Sequence, residues 1–489
     1  METLFGIIAY LLVMIFLGLW YAHRSNSGIE EYFIGRRGFG PFLAALSAET
    51  SDMSGWLFLG LPGVAYFAGL STAFWTALGL FIGTWINWAL VARRLRSYSQ
   101  IADNAITLPE FFSKRFHDDR HILLILSALI CLVFFSIYVG AQFITFGKLF
   151  HYTFGADMST MVVFGGVVVL FYTLLGGFWA VGMTGVIQGV LMVCALALVL
   201  AAGLFNAGGI NAMAAKIAAV PIAGGGMGGS FLTIVSTLAW GLGYFGMPQV
   251  LLRFMAIKRT AMIRPARNIA VIWCFIALAS AILIGIAGRA HMPAALPTEA
   301  EAENIFILLT TRFFPPLAAG IVLTGILAAS MSTCDSQMLI VASSLSNDIF
   351  KGVIHKYAGE ETVLWIARAA MLITAGFGIV IAISGNQSIF QVVSYAWAGF
   401  GASFGPLMLF SLYWKRTTLP AAVAGMLSGG GAVVLWKNLI SKAGGVFAVY
   451  ELLPAFILSS LVIVVVSLLT KKPSPEIEKE FDEAKTAVF

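Results

Sequence analysis

Three carboxylates stand alone in long apolar stretches of the sequence. Glu49 and Asp52 lie in the apolar run 41–69, and Asp335 lies in the run 315–345. A charged side chain in a membrane span costs about 2.5–3.5 kcal/mol on insertion scales, so such residues usually serve a function. No lysine or arginine stands at the middle of these runs, and this imbalance suits a cation or a proton. The alternative is that each carboxyl group caps freed backbone amides or is simply protonated.

Asp52 falls in a segment that disfavours a continuous helix. Residues 46–63 read LSAETSDMSGWLFLGLPG, and Ser, Asp and Gly favour caps and turns over helix interiors. A break there would free carbonyl groups, which can bind Na⁺, and amide groups, which can bind a carboxylate. The alternative is an ordinary kinked helix, which small residues permit in a membrane.

A second segment with helix-breaking residues lies at 240–249 and reads WGLGYFGMPQ, with Gly241, Gly243, Gly246 and Pro248. Two broken helices five spans apart are typical of inverted-repeat transporters. We therefore predict two repeats of five helices, with one helix before them and two after.

A stripe of small and hydroxyl side chains follows one helix face near Asp335. Ala329, Ser332, Thr333 and Ser336 are spaced i, i+3, i+4 and i+7, which places them on one side of a helix. Hydroxyl oxygens, together with carbonyls from a nearby broken helix, would form the oxygen cage that hard cations prefer. The alternative is that the hydroxyls bond to carbonyls of their own helix.

Aromatic residues accompany both predicted breaks. Trp240 and Tyr244 are four residues apart and share a helix face if the helix persists. Trp56 follows the first break, and Tyr138 lies in the fourth predicted span. Aromatic walls would suit a compact ring or an aliphatic side chain, whereas the alternative is packing against lipid or neighbouring helices.

The composition places these residues in a membrane protein. The chain has 489 residues, of which 60% are hydrophobic and 11% charged, against about 25% charged in soluble proteins. A water-soluble enzyme is therefore excluded, and the sequence contains neither a P-loop nor an HExxH motif. We also expect no nucleic-acid binding and no obligate protein partner.

A helix needs about 20 apolar residues to cross a bilayer, and the hydropathy pattern predicts thirteen such spans. They are 3–21, 41–69, 72–92, 122–147, 158–177, 186–206, 230–252, 268–288, 315–345, 366–384, 389–412, 419–436 and 452–470. We divide two long apolar runs at Gly176-Gly177 and near Ser384-Gly385-Asn386. The prediction is a single transmembrane domain, 1–470, with a cytoplasmic tail, 471–489. The domain comprises a first helix and loop (3–40), a first repeat (41–206), a second repeat (230–412) and two peripheral helices (419–470).

Basic residues predict the orientation in the cell membrane. Six connections hold 23 of the 29 Lys and Arg residues: 22–40, 93–121, 253–267, 346–368, 413–418 and 471–489. Because basic loops stay in the cytoplasm, we predict an external N-terminus and a cytoplasmic C-terminus.

Several of these segments together resemble the sodium:solute symporter family. They are GRRGFGPFLAALSAETSDMSGWLFLGLPG, TLPEFFSKRF, WGLGYFGMPQVLLRFMA, ILAASMSTCDSQ, SYAWAGFGASFGP and YELLPAF. SDMSGW and WGLGYFG are similar to the proline-transporting branch. The resemblance covers nearly the whole chain and implies an all-α membrane protein with a leucine-transporter-like fold that couples Na⁺ entry to L-proline uptake.

The resemblance also implies residue roles. It assigns Na⁺ to the carbonyls of Thr50, Met53 and Ala329 and the hydroxyls of Ser332 and Thr333, with Asp52 organising the break. The positions implied for proline are Ser54, Gly55, Trp56, Tyr138, Trp240 and Tyr244.

Two departures from the family pattern leave the ion stoichiometry open. Relatives often carry an aspartate at the position of Gly185, which some use in a second sodium site. We hypothesise that Asp335, beside Ser336, supplies that carboxylate here. Glu49 stands where relatives carry a small or amide residue. Sodium- or proton-coupled uptake of another small amino acid or a monocarboxylate is the alternative function, and a membrane solute sensor is the alternative from another class.

Overall fold

The computed structural model describes residues 2–25, 28–219, 230–293, 296–385, 388–487 and 489. Within these ranges the chain is helical, and its only β-type pairing is an isolated bridge between Phe39 and Ile257. In lipid every backbone group must be satisfied inside the segment, so long apolar runs become helices.

The described residues form the α-helices α1 to α21 in chain order. They are α1 Glu2–Ser25, α2 Ile29–Ile34, α3 Pro41–Asp52, α4 Leu61–Phe67, α5 Leu70–Ile86, α6 Ala92–Ile101, α7 Leu108–Arg115, α8 Ile122–Phe154, α9 Met158–Ala207, α10 Ile210–Ala219, α11 Phe231–Leu238, α12 Pro248–Ala256, α13 Ile263–His291, α14 Glu299–Ala302, α15 Ile305–Phe313, α16 Pro316–Ser343, α17 Glu360–Ile383, α18 Ile389–Tyr413, α19 Leu419–Asn438, α20 Leu452–Leu469 and α21 Pro475–Thr486.

Every predicted span falls on one of these helices or on two in succession. Among the helices that the structure describes, ten are long and apolar enough to cross a membrane. An eleventh span is the pair Phe231–Gly246 and Pro248–Ala256, which is bent by 45°. The remaining two predicted spans, 41–69 and 158–177, fall on shorter helical pieces, so the total of thirteen is not confirmed.

Both predicted breaks are present in the fold. Helix α3 ends at Asp52, and Met53 leaves helical geometry with φ −77° and ψ 44°. The chain resumes as a π-helical turn, Trp56–Gly60, that leads into α4. The second break is a 3₁₀ segment, Ala239–Gly246, between α11 and α12. Residues that disfavour an α-helix interior therefore interrupt it where the sequence predicts.

The glycine division within α9 is also found. Gly177 adopts φ 62° and ψ −174°, which separates the two halves of this helix, and only glycine takes such a conformation at low cost. The predicted division near Ser384 falls between α17 and α18, although Asn386 lies outside the described residues.

Buried arginine contacts bring the first three predicted cytoplasmic connections together. The Arg37 guanidinium donates to Asn104 Oδ1 at 3.1 Å and to the Met255 carbonyl at 2.7 Å. Burial, with the neighbouring charge of Arg96, lowers the pKa of Arg37 to about 10, so this side chain stays charged at neutral pH.

The other three basic connections join the same face. Thr107 Oγ1 donates to Asp348 Oδ1 at 2.9 Å. His117 Nε2 lies 3.1 Å from Glu480 Oε1 in α21, and Lys415 Nζ lies 3.5 Å from Asp482 Oδ2 in the same helix. All six connections therefore meet at one end of the helix bundle, which we call the basic face.

A buried ion pair between Lys148 and Glu303 closes the opposite end. Glu303 is 1% exposed and also accepts bonds from Ser388 Oγ and from the Ile389 N–H at 3.0 Å. Because the first amides of a helix lack partners within it, this carboxylate caps α18 and fixes Phe390 at its first turn.

Candidate ion and substrate site

Asp52 joins the two broken helices. Its Oδ2 accepts a bond from the Tyr244 hydroxyl at 2.8 Å, and its backbone carbonyl accepts one from the Tyr138 hydroxyl at 3.3 Å. The carbonyl of Tyr244 is held in turn by Asn87 Nδ2 at 3.0 Å. The other carboxyl oxygen, Oδ1, is buried without a partner. Asp52 therefore forms a direct hydrogen-bonded link between the two breaks.

The hydroxyl stripe faces the carbonyl end of α3. Ser332 Oγ lies 2.8 Å from the Thr50 carbonyl and 3.1 Å from the Ala329 carbonyl, and Thr333 Oγ1 lies 3.4 Å from the Thr50 carbonyl. A hydroxyl group can donate only one good hydrogen bond. The carbonyl and hydroxyl oxygens that meet here therefore outnumber the available donors. Hard cations prefer such a set. Four of the five residues predicted to bind Na⁺ are thus in contact, and Met53 lies buried at the adjacent break.

The backbone amides at the first break are not free. The Gly55 N–H donates to Gln142 Oε1 at 2.9 Å, and the Trp56 N–H lies 3.2 Å from Ser54 Oγ. A substrate carboxylate would therefore have to displace one of these acceptors. Gln142 was missed in the sequence analysis, although a glutamine inside the apolar helix α8 was a visible signal.

Gly55 permits a close approach of three helices. A Cβ atom at this position would lie 2.6 Å from Thr145 Oγ1 in α8 and 2.8 Å from Ser330 Oγ in α16. Both distances are far below ordinary contact, so the break packs this tightly only because residue 55 lacks a side chain.

A small aromatic cavity lies beside Asp52. The rings of Trp56 and Trp240 are 5.5 Å apart, and Tyr244 meets Trp397 edge-on at 5.1 Å. The free volume of this cavity is about 10 Å³, so its side chains nearly fill it. Its lining residues are Asp52, Met53, Trp56, Leu80, Tyr138, Trp240, Tyr244, Val393 and Trp397.

All four aromatic residues singled out in the sequence line this cavity, which also contains one that was missed. Trp397 in α18 donates from Nε1 to the Trp240 carbonyl at 2.9 Å. Phe390 stacks beyond the cavity on Trp56, with ring centres 6.1 Å apart. Both residues lie about 150 positions or more from the breaks in sequence, and hydropathy does not indicate which helix faces a distant segment.

Glu49 lies one turn before the first break, away from the hydroxyl pair. Its Oε1 is 3.4 Å from the Trp88 indole nitrogen, and its Oε2 is buried without a partner. The structure therefore places Glu49 against the π-helical turn Asn87–Val91.

Asp335 faces α9 and not the hydroxyl pair. Its Oδ1 is 2.8 Å from Thr173 Oγ1, and its Oδ2 is buried without a partner. Ser336 on the neighbouring face accepts a bond from Arg253 at 2.6 Å. A Cβ at Gly185 would face Thr50 Oγ1 at 3.0 Å. The structure does not bring Asp335 to the hydroxyl pair, and its role in a second ion site stays a prediction.

Comparison with known proteins agrees with this geometry. Residues 32–429 match the sequence profile of the sodium:solute symporter family. The chain belongs to the sodium:solute symporter family. This symporter is 41% identical over 481 residues to the sodium/proline symporter of Escherichia coli K12, covering 97% of this chain and 94% of that protein. It is 40% identical over 476 residues to the osmoregulated proline transporter OpuE of Bacillus subtilis, covering 97% and 96%.

A solved structure shows the same fold. The symporter superposes on a Na⁺-coupled sialic acid symporter, in a substrate-bound outward-open state, with a TM-score of 0.80 and 18% identity. The match covers 97% of this chain and 99% of that one. The predicted fold class, an all-α membrane protein of the leucine-transporter type, is confirmed. Membership of a symporter family also confirms that the protein is a transporter and not an enzyme.

Proposed function

We propose that this symporter couples the entry of Na⁺ to the uptake of L-proline. The observation that carries the proposal is the bond between Asp52 and Tyr244, because it links a cation-type oxygen set on one broken helix to an aromatic cavity on the other. The two relatives of about 40% identity, described as proline transporters over nearly the full chain, support the substrate.

Na⁺ binds where the hydroxyl pair meets α3. Its ligands are the carbonyls of Thr50, Met53 and Ala329 and the hydroxyls of Ser332 and Thr333. Both hydroxyl oxygens lie within hydrogen-bond distance of the Thr50 carbonyl, and Ser332 Oγ is equally close, at 2.8 Å, to the Ala328 carbonyl of its own helix. A cation there takes the lone pairs of both hydroxyls and turns their hydrogens toward such carbonyls. The ion then holds α3 against α16 by coordination to both helices.

Proline occupies the aromatic cavity after its walls move apart, since the free volume of about 10 Å³ in this structure is too small for the ring. Its ring lies against Trp56 and Trp240, and its secondary ammonium group supplies the donor that Asp52 Oδ1 lacks. The carboxylate takes amides at the break, displacing the acceptors on Gly55 and Trp56. Ser54, Tyr138 and Tyr244 complete the set of substrate contacts.

Coupling follows because Na⁺ and proline both bind at the first break. Na⁺ fixes the end of α3 and thereby Asp52, and Asp52 positions the second broken helix through Tyr244. Each ligand therefore raises the affinity for the other, as linkage requires. A membrane potential adds about 2.3 kcal/mol per charge per 100 mV to inward movement. The bundle then opens toward the cytoplasm and releases both ligands.

The proposed location is the cell membrane, with the N-terminus external and the C-terminus cytoplasmic. The basic face supports this orientation because it gathers the six connections that hold 23 of the 29 Lys and Arg residues. Accessibility labelling of cysteines introduced in the tail, in intact and permeabilised cells, tests the orientation.

Uptake of labelled proline into proteoliposomes tests the function. We expect accumulation with an inward Na⁺ gradient and little without it. Competition by other amino acids and monocarboxylates defines the substrate. Equal uptake with a proton gradient alone would refute Na⁺ coupling, and binding without accumulation would favour the sensor.

A further inference from the structure

Arg253 in α12 is a buried cation that pairs with no carboxylate among the described residues. It is 1% exposed. Its guanidinium donates to Ser47 Oγ at 3.2 Å, to Ser336 Oγ at 2.6 Å and to the Gln249 carbonyl at 3.1 Å. Its fourth neighbour is the ring of Phe178, with the guanidinium carbon 5.2 Å from the ring centre. All of these partners are neutral.

The guanidinium lies between the proposed sodium ligands and the basic face. Ser47 precedes Thr50 in α3 by about one turn, and Ser336 follows Ser332 in α16 by about one turn. Helix α3 begins at the basic face and α16 runs toward it, so both turns lead in the same direction. One helical turn is about 5.4 Å, so the positive charge is close to the ion position and on its cytoplasmic side.

The neighbouring helix offers no counter-charge at this point. A Cβ atom at Gly185 in α9 would lie 3.0 Å from Thr50 Oγ1 and 3.9 Å from Ser47 Oγ, so residue 185 faces the same space without a side chain. An uncompensated buried charge is costly. A neutral residue would fit these polar neighbours at lower cost, so the charge itself requires an explanation.

We propose that Arg253 is the barrier that stops Na⁺ from leaving its site toward the cytoplasm while the transporter is closed on that side. This role rests on the proposed sodium site. The guanidinium bridges α3 and α16 below the ion and repels it. When the two helices separate, the bonds to Ser47 and Ser336 break, the side chain withdraws, and the ion can leave. Arg253 thus makes the exit of Na⁺ depend on the conformational change.

The geometry gives the size of the effect. Two unit charges about 6 Å apart at an effective dielectric of about 20 repel strongly enough to change a rate by about a hundredfold. Losing the charge should therefore raise Na⁺ flux in the absence of proline by roughly ten- to a hundredfold.

The test measures influx of radioactive Na⁺ into proteoliposomes that contain the full chain, under an inside-negative potential, with and without proline. Arg253→Gln should leak Na⁺ without proline and move more Na⁺ per proline than the unmodified protein. Arg253→Lys, which keeps the charge, should restore the low leak. Arg37→Gln is the matched control and should not leak, since it removes another buried arginine that lies at the basic face itself and bonds to neither Ser47 nor Ser336.

A leak in Arg253→Gln no greater than in the unmodified protein would overturn the proposal. So would equal leaks in Arg253→Gln and Arg37→Gln, because lost packing would then suffice. Should Arg253→Gln fail to reach the membrane, Ser47→Ala combined with Ser336→Ala removes two of the anchors and must raise the leak severalfold. If the unmodified protein shows no Na⁺-dependent proline uptake, the result would instead refute the proposed function.

Discussion

Replacing Tyr244 by phenylalanine removes the hydroxyl that links the two broken helices. The bond from Tyr244 to Asp52 Oδ2 is 2.8 Å long and buried, and the other oxygen of this carboxyl group has no partner that could compensate. A hydrogen bond to a charged group contributes about 1.5–3 kcal/mol, or about 10- to 150-fold in an equilibrium constant. We expect Tyr244→Phe to reduce the factor by which Na⁺ raises proline affinity by at least about tenfold.

The assay is equilibrium binding of labelled proline to the purified protein at low and at saturating Na⁺. The ratio of the two dissociation constants gives the coupling factor. Tyr138→Phe is the control, because its hydroxyl lines the same cavity but lies 3.3 Å from the Asp52 backbone carbonyl and does not reach the second broken helix. It should lower proline affinity at both Na⁺ concentrations and leave the ratio nearly unchanged.

An unchanged ratio in Tyr244→Phe, with weaker proline binding at both Na⁺ concentrations, would refute this reasoning. Tyr244 would then be a substrate contact only, and the coupling would have to pass through another element. A double-mutant cycle with Asp52→Ala separates the two cases, since the linked residues must show non-additive effects on the ratio.

Two further predictions concern packing. Gly55→Ala should abolish proline uptake in protein that still reaches the membrane, because the new Cβ would lie 2.6 Å from Thr145 Oγ1. Gly376→Ala is the control and should leave uptake unchanged, because nothing lies within 4 Å of a Cβ at that position. Normal uptake by Gly55→Ala would contradict the close packing. Glu303→Ala should lower the free energy of unfolding by about 3–5 kcal/mol and Lys148→Met by less, because Glu303 keeps its bonds to Ser388 and the α18 backbone. Thermal unfolding in detergent measures both, and the opposite order would show that the cap of α18 contributes little.

The breaks could be predicted because local sequence determines them. Glycine, proline and serine disfavour a helix interior whatever surrounds them, so Asp52–Gly55 and Ala239–Gly246 were identifiable without a structure. The hydroxyl stripe was also visible, since helical periodicity alone brings Ser332 and Thr333 to one face. The partner of that stripe, the Thr50 carbonyl, followed only from the family resemblance.

Long-range charge contacts could not be predicted. The sequence predicts Arg253 in a basic connection because the predicted span ends at residue 252, whereas α12 continues to Ala256 and buries the arginine. Lys148 and Glu303 lie 155 positions apart, and nothing local in either segment indicates the other. In both cases the burial is produced by the packing of helices that the sequence places far apart.

The sequence also does not indicate which side of each helix faces the site. Hydropathy identified α18 as a span but not that Phe390 and Trp397 turn toward the breaks. For Asp335, one residue of rotation along α16 separates the face toward Arg253 from the face toward Thr173. Membrane helices carry apolar residues on several sides, so the sequence gives little evidence of which side faces inward.

The central claim is that the hydroxyl pair on α16 and the end of α3 hold Na⁺ together. The most direct measurement is the Na⁺ concentration for half-maximal proline binding in Ser332→Ala compared with Ser343→Ala. Ser343 is a buried serine of the same helix that bonds to the Ile340 carbonyl. We predict that Ser332→Ala raises this concentration roughly tenfold or more while Ser343→Ala leaves it unchanged. Equal Na⁺ requirements in the two variants would contradict the account.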